Sequence, residues 1–173
     1  MAAKTAWSGG SLASSAGAYV AAFNASDMNS LAYLSSVMSG IVFDNTVATL
    51  GTPDQFMDLS FTGALATAAA LPSGAGLGLW LYTLQRDGTT YGSGRLVAGT
   101  QLTTFTPLLN PIGGIPIEPN ATTSTPVIGS LLNVTIPPRA FRLVIQNQIG
   151  TGLTLASSGN MLSIATYCQN TNA

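Results

Sequence analysis

From residue 41 onward, apolar and polar positions follow one another in short runs with a period of two rather than a helical period. Met57, Leu59 and Phe61 alternate with Asp58, Ser60 and Thr62, the pattern of a strand with one face buried and one face wet. Residues 140–147 alternate in the same way, with Phe141, Leu143 and Ile145 on one face and Arg142, Val144 and Gln146 on the other. Leu77 to Leu84 begins apolar on both faces, as a central strand does. Further short runs lie at residues 41–43, 101–109, 127–136, 153–156 and 161–168. Turn chemistry separates them: Pro72 to Gly74, Asp87 with Gly88, Gly92 and Gly94, Pro137 with Pro138, and Gly150 with Gly152. Residues 110–126 hold four prolines and the pair Gly113 and Gly114, and read as loop.

One stretch departs from this texture. Met28, Leu31, Leu34, Val37 and Met38 recur at spacings of three and four, after the capping types Ser26 and Asp27 and before Gly40. That predicts a short helix over 26–40. Residues 1–25 show no period and read as an arm. The expected organisation is therefore an arm and short helix over 1–40 and a β domain over 41–173. About eight short strands with turns between them, and no helices alternating with strands, predict an all-β fold: an antiparallel β-sandwich of the jelly-roll kind.

Charge changes what such a sandwich is expected to do. Asp, Glu, Lys and Arg make up 6% of the 173 residues and the net charge is −1, against about 25% charged residues in a typical soluble domain. The exterior must be built from Ser, Thr, Asn, Gln and Gly. Such a surface repels its own copies weakly, which favours association. Cations are few and scattered, with only Arg139 and Arg142 close together, so nucleic acid is not an expected partner. No membrane partner is expected either. The uncharged stretch from Phe61 to Leu84 is long enough to span a bilayer but is broken by Pro72 and four glycines, and similar uncharged stretches recur along the chain. The interrupted apolar texture of residues 8–17 does not read as a signal peptide.

The residue inventory argues against catalysis. There is no histidine and one cysteine, Cys168, so a Ser-His-Asp or Cys-His site cannot be assembled within one chain, and clustered zinc ligands are lacking. Asp54 and Asp58 are the nearest acid pair; on one strand face they would stand about 13 Å apart. Glycosidases need about 5–9.5 Å. Asp44, with Asn45 and Thr46, offers too few oxygens for calcium. The glycines at 74, 76 and 78 precede a strand where a phosphate loop needs a helix. No cofactor is expected, and the chain is not expected to be an enzyme. Trp80 and Tyr82 share a face of an apolar strand, where packing in the core is expected over stacking on a sugar. Trp7, Tyr19 and Phe23 are the candidate partner contacts, as aromatic anchors on the arm.

Residues 80–94, from Trp80 and Tyr82 through Arg86, Asp87 and Gly88 to Tyr91 and Gly94, resemble a hairpin of small virion proteins of tailed bacteriophages. Residues 136–147, from Ile136 through Pro138, Arg139 and Arg142 to Asn147, resemble their next-to-last strands. The resemblance implies a capsid decoration (cement) protein, a β-sandwich or jelly roll that binds the outside of the shell and stiffens it. It further implies the major capsid protein as partner, with copies of the same chain as a second expected partner in a dimer or trimer. The expected location is the capsid surface of a virion, after synthesis in the host cytoplasm. A tail or baseplate structural protein and a carbohydrate-binding sandwich are the competing expectations.

Overall fold

The computed structural model describes residues 5–9, 19–46, 54–67, 69–92, 94–103, 107, 110–117 and 127–171. The strands are β1 (Thr5–Gly9), β2 (Val20–Ala21), β3 (Ser36–Met38), β4 (Phe56–Gly63), β5 (Gly76–Thr83), β6 (Gln101–Leu102), β7 (Pro111–Pro116), β8 (Val127–Thr135), β9 (Phe141–Asn147) and β10 (Met161–Thr171). They form two antiparallel sheets. The first has the order β1-β10-β4-β8, with β2 also on β10; the second has the order β6-β3-β9-β5-β7. From β2 onward the chain changes sheet at every step except along β5, β6 and β7. The fold is a β-sandwich.

The period-two reading explains the core. Met57, Leu59 and Phe61 of β4 and Leu162 and Ile164 of β10 meet Leu77, Leu79 and Leu81 of β5 and Phe141, Leu143 and Ile145 of β9 in one buried cluster between the sheets. Strand β5 is buried on both sides, as its apolar start predicts. Its second face is covered by the long connection after it. Trp80, Tyr82, Met38 and Val144 point away from the main core and pack under Leu96, Tyr91 and Ala98 of residues 84–103. Gly92 lies so close to the Tyr82 ring that a Cβ there would stand 2.0 Å from Tyr82 Cδ2, and its φ is +58°. Only glycine meets both demands. The expected hairpin is present in this connection: Gln85 N–H bonds Thr90 O at 2.7 Å. The Asp87 carboxylate accepts the N–H groups of Thr89 and Thr90. The Thr90 hydroxyl and these N–H groups hold that carboxyl down to about 2.

Two expectations are corrected. The helix over 26–40 is absent: the described residues there form turns followed by β3. Ser30 and Leu34 have φ of 55° and 59°, which an α-helix excludes. Their N–H groups bond Ala156 O and Asn147 O on the far part of the chain rather than a preceding turn. Asp27 caps no helix; its carboxylate accepts the N–H groups of Asn24 and Gly40 and ties the ends of this segment together. Ala22, Phe23, Met28, Leu31 and Val37 belong to the same core cluster as the strands that follow residue 40. Finally, Pro111–Pro116 is a strand rather than loop. It is the edge of its sheet, bonded to β5 alone, and an edge tolerates the missing proline N–H. Residues 118–126 lie outside the described set.

Candidate interaction face

Register places four rows of side chains on the outer face of the first sheet. Met161, Thr62 and Ile128 form the first row, and Ser163, Ser60 and Ser130 the second. Ala165 and Asp58 pair in the third; Tyr167, Phe56 and Thr135 form the fourth. Opposite Asp58, strand β8 carries an extra residue, because Met57 pairs with Val134 but Leu59 pairs with Leu131. Leu132 and Asn133 both face Asp58 across this bulge, and Asn133 takes φ of 58°.

The bulge is held by one carboxylate. Asp58 Oδ1 accepts the Asn133 N–H at 2.7 Å and the Tyr167 hydroxyl at 3.0 Å. The Tyr167 ring stacks on Phe56, centroid to centroid 5.8 Å. Burial, the bond to Asp58 and the Asp58 charge push the Tyr167 phenol up to about 12. Burial and then the same carboxylate raise Tyr19. A raised tyrosine contributes stability that is present below its unfolded value near 10 and is lost as pH climbs through about 12. An absorbance titration should therefore show one phenol ionising near 12. Asp58→Asn should lower it while leaving it above 10.0, because burial persists. If Tyr167 ionises near 10 in the unmodified protein, the bond to Asp58 is not made in solution.

Large apolar side chains are exposed on this face, around buried Ser163 and Ala165. Tyr19 is 48% exposed, Met161 52%, Ile128 58% and Leu132 61%. They are four of the six large hydrophobic side chains exposed among the described residues. Asp58 is the one charge among the described residues of the face. Its edge strand β8 is nine residues long and carries neither proline nor charge. Exposed edges of that kind are normally blunted by lysine or proline. Gly129 lets this edge abut the other sheet: a Cβ there would meet Ile115 Cγ2 at 2.3 Å and Pro116 O at 2.5 Å.

The residues singled out in the sequence part company. Trp7 is placed by its backbone, opposite Gln169 in the β1–β10 ladder; its side chain lies outside the described set. Tyr19 stands on the exposed face. Phe23 is 4% exposed in the core and is not available to a partner. Trp80 and Tyr82 are buried beneath residues 84–103, so neither offers a sugar-stacking surface. Asp54 and Asp58 are on opposite sides of the first sheet, not on one face. Asp54 accepts the hydroxyl of inward-facing Thr166 at 2.7 Å, while Asp58 faces out. Asp44 accepts from Thr46, and the Asn45 side chain is bonded to Asp54 and to Pro137 O. An open cleft of about 570 Å³ lies at the mouth of the sandwich beside Pro111, Pro137 and Pro138. Among the described residues, Arg139 is the only ionisable group lining it.

The fold and this face define a β-sandwich with one sheet covered by its own chain and the other carrying exposed apolar side chains on its outer face. No family model matches the chain, and neither the curated proteins nor the solved structures compared with it contain a match.

Proposed function

We propose that this chain is a non-catalytic structural protein that decorates and stiffens the capsid shell of a tailed bacteriophage, with the major capsid protein as its partner. The observation that carries the reading is the set of exposed apolar side chains Tyr19, Ile128, Leu132 and Met161 on the outer face of the first sheet. Contiguous exposed apolar surface marks a site of association, and a near-neutral chain places little charge to be desolvated there. The strand orders support reading the sandwich as a jelly roll: β2-β10-β4-β8 faces β3-β9-β5-β7, and the chain crosses between the two sheets at every step except from β5 to β7. Jelly rolls serve viral capsids and lectins alike, so the choice between them rests on the face and on the virion-like texture of residues 80–94 and 136–147.

The test mixes the purified protein with capsid shells that lack it and images the particles. Regular surface density is expected for the unmodified chain, with strongly reduced occupancy for Leu132→Asp. An absence of density on shells would sink the reading, and copurification with tails instead would favour a tail or baseplate role.

A further inference from the structure

We infer that the cleft at the mouth of the sandwich binds the carboxylate-bearing end of an extended peptide, and that Arg139 is the group that recognises the carboxylate. The cleft lies between the sheet edges, apart from the exposed apolar side chains of the first sheet, and its occupant is independent of the shell.

Two strand edges make the cleft. β7 is bonded to β5 alone and β8 to β4 alone, so the outer edge of each carries backbone groups with no ladder partner. At one end the two edges abut. A Cβ on Gly129 would stand 2.5 Å from Pro116 O, and one on Gly113 would stand 3.2 Å from Leu131 Cδ2. Toward the other end both strands are irregular. β8 has its bulge opposite Asp58, and β7 has one at Ile112, because Leu79 pairs with Gly113 but Trp80 pairs with Pro111. An asparagine takes a left-handed φ at each irregularity, 58° at Asn133 and 50° at Asn110. Bulges bend strands and recur beside binding sites. There the edges part, and the cleft of about 570 Å³ opens with Pro111 and Ile112 on one side and Thr135 on the other.

The lining sorts by chemistry. The floor is apolar: Leu81 belongs to the main core and Ile112 packs against it. The walls are strand edges, whose N–H and C=O groups are what an added extended chain pairs with. A fatty acyl chain would leave those groups unanswered. The rim carries one charge. Arg139 is exposed, and no ion pair engages it among the described residues. A stiff turn presents it. Pro137 and Pro138 fix their own φ, the Arg139 N–H bonds Pro137 O at 2.9 Å, and the same carbonyl accepts the Asn45 amide at 2.8 Å. A guanidinium so placed matches a carboxylate with two parallel hydrogen bonds. An extended chain that ends in an acid answers the floor, the edges and the cation together. A free C-terminus and an Asp or Glu side chain at the end of such a segment share this chemistry.

The experiment titrates the full chain, labelled with nitrogen-15, with acetyl-Thr-Val-Leu bearing a free carboxylate. The backbone amide signals of Ile112, Thr135 and Arg139 should move and saturate. The same peptide as its C-terminal amide should bind about tenfold more weakly or worse, the loss expected for a hydrogen bond to a charged group. Arg139→Gln should bring the acid down to the affinity of the amide while leaving the thermal transition unchanged, and Arg139→Lys should restore part of the difference. Acetyl-Thr-Val-Glu amide separates the two sources: affinity equal to that of the free acid assigns the site to side-chain carboxylates, and weak binding assigns it to C-termini. Signals that do not move, equal affinities for acid and amide, or an acid preference that survives Arg139→Gln would each overturn the inference. Hexanoate bound as tightly as the peptide would do so too, because the strand edges would then contribute nothing. None of these results bears on shell binding, so the cleft and the decoration role stand or fall separately.

Discussion

Phe141→Ala is expected to lower the free energy of unfolding by about 3–5 kcal/mol, a large part of the roughly 5–15 kcal/mol that holds a domain folded. Phe141 has no solvent exposure. Its ring stacks on Phe43 at 5.3 Å, and the two residues exchange both backbone hydrogen bonds at 2.9 Å. Removing the ring leaves a cavity where β9 meets the segment that follows β3. That segment cannot collapse into it freely, because Asn45 is clamped between Asp54 and Pro137. Urea unfolding followed by tryptophan fluorescence should show a lower midpoint with an unchanged slope. Phe141→Leu should cost much less, because most of the volume stays. A loss below about 1 kcal/mol for the alanine variant would mean that the site relaxes and the packing described is wrong.

The second large effect comes from a polar group. Asn147 is fully buried and its amide satisfies three backbone groups at once. Nδ2 donates to Leu31 O at 2.8 Å and to Leu153 O at 2.9 Å, and Oδ1 accepts the Ile149 N–H at 2.9 Å. It thereby ties the turns before β3 and the turn after β9 to the end of one core strand. Asn147→Leu keeps the volume but strands the Leu153 carbonyl and the Ile149 N–H, while Leu31 O keeps the Leu155 N–H at 3.1 Å. Each unsatisfied group costs about 1–3 kcal/mol, so a loss of about 2 kcal/mol or more is expected. Hydrogen exchange should accelerate most at the Ile149 amide. Unchanged protection there would show that Asn147 is not the clamp.

Much of the sandwich was legible because its strands obey a period of two. β4, β5, β8, β9 and β10 fall within two or three residues of the runs that predicted them. The misreadings share a cause. Between Ser26 and Gly40 the apolar spacing matches a helix, but the backbone groups there are satisfied by distant partners: Ala156, Asn147, Leu143 and the side chain of Gln101. Local pattern does not contain those partners. The prolines that marked residues 110–126 as loop are compatible with a strand only because β7 is an edge, and edge status is a property of topology. The interaction face was half legible. Tyr19 was singled out, but Leu132, Ile128 and Met161 were read as parts of strands, because alternation says which residues share a face and not which face stays bare. The signal available was Asn133 in a nine-residue uncharged strand, an amide of the type that tolerates a left-handed bulge.

Strand β10 is the last of the ten to leave the ribosome and yet lies inside the first sheet, with β1 and β2 on one side and β4 on the other. No two consecutive strands of the ten pair with each other. The nascent chain therefore has few strand ladders to form as it emerges, and β1 and β2 wait unpaired until the C-terminal segment arrives. Non-local pairing of this kind slows folding by the entropy of closing long loops. Assembly of the first sheet consequently waits for the last of the ten strands, which closes the seam between β2 and β4.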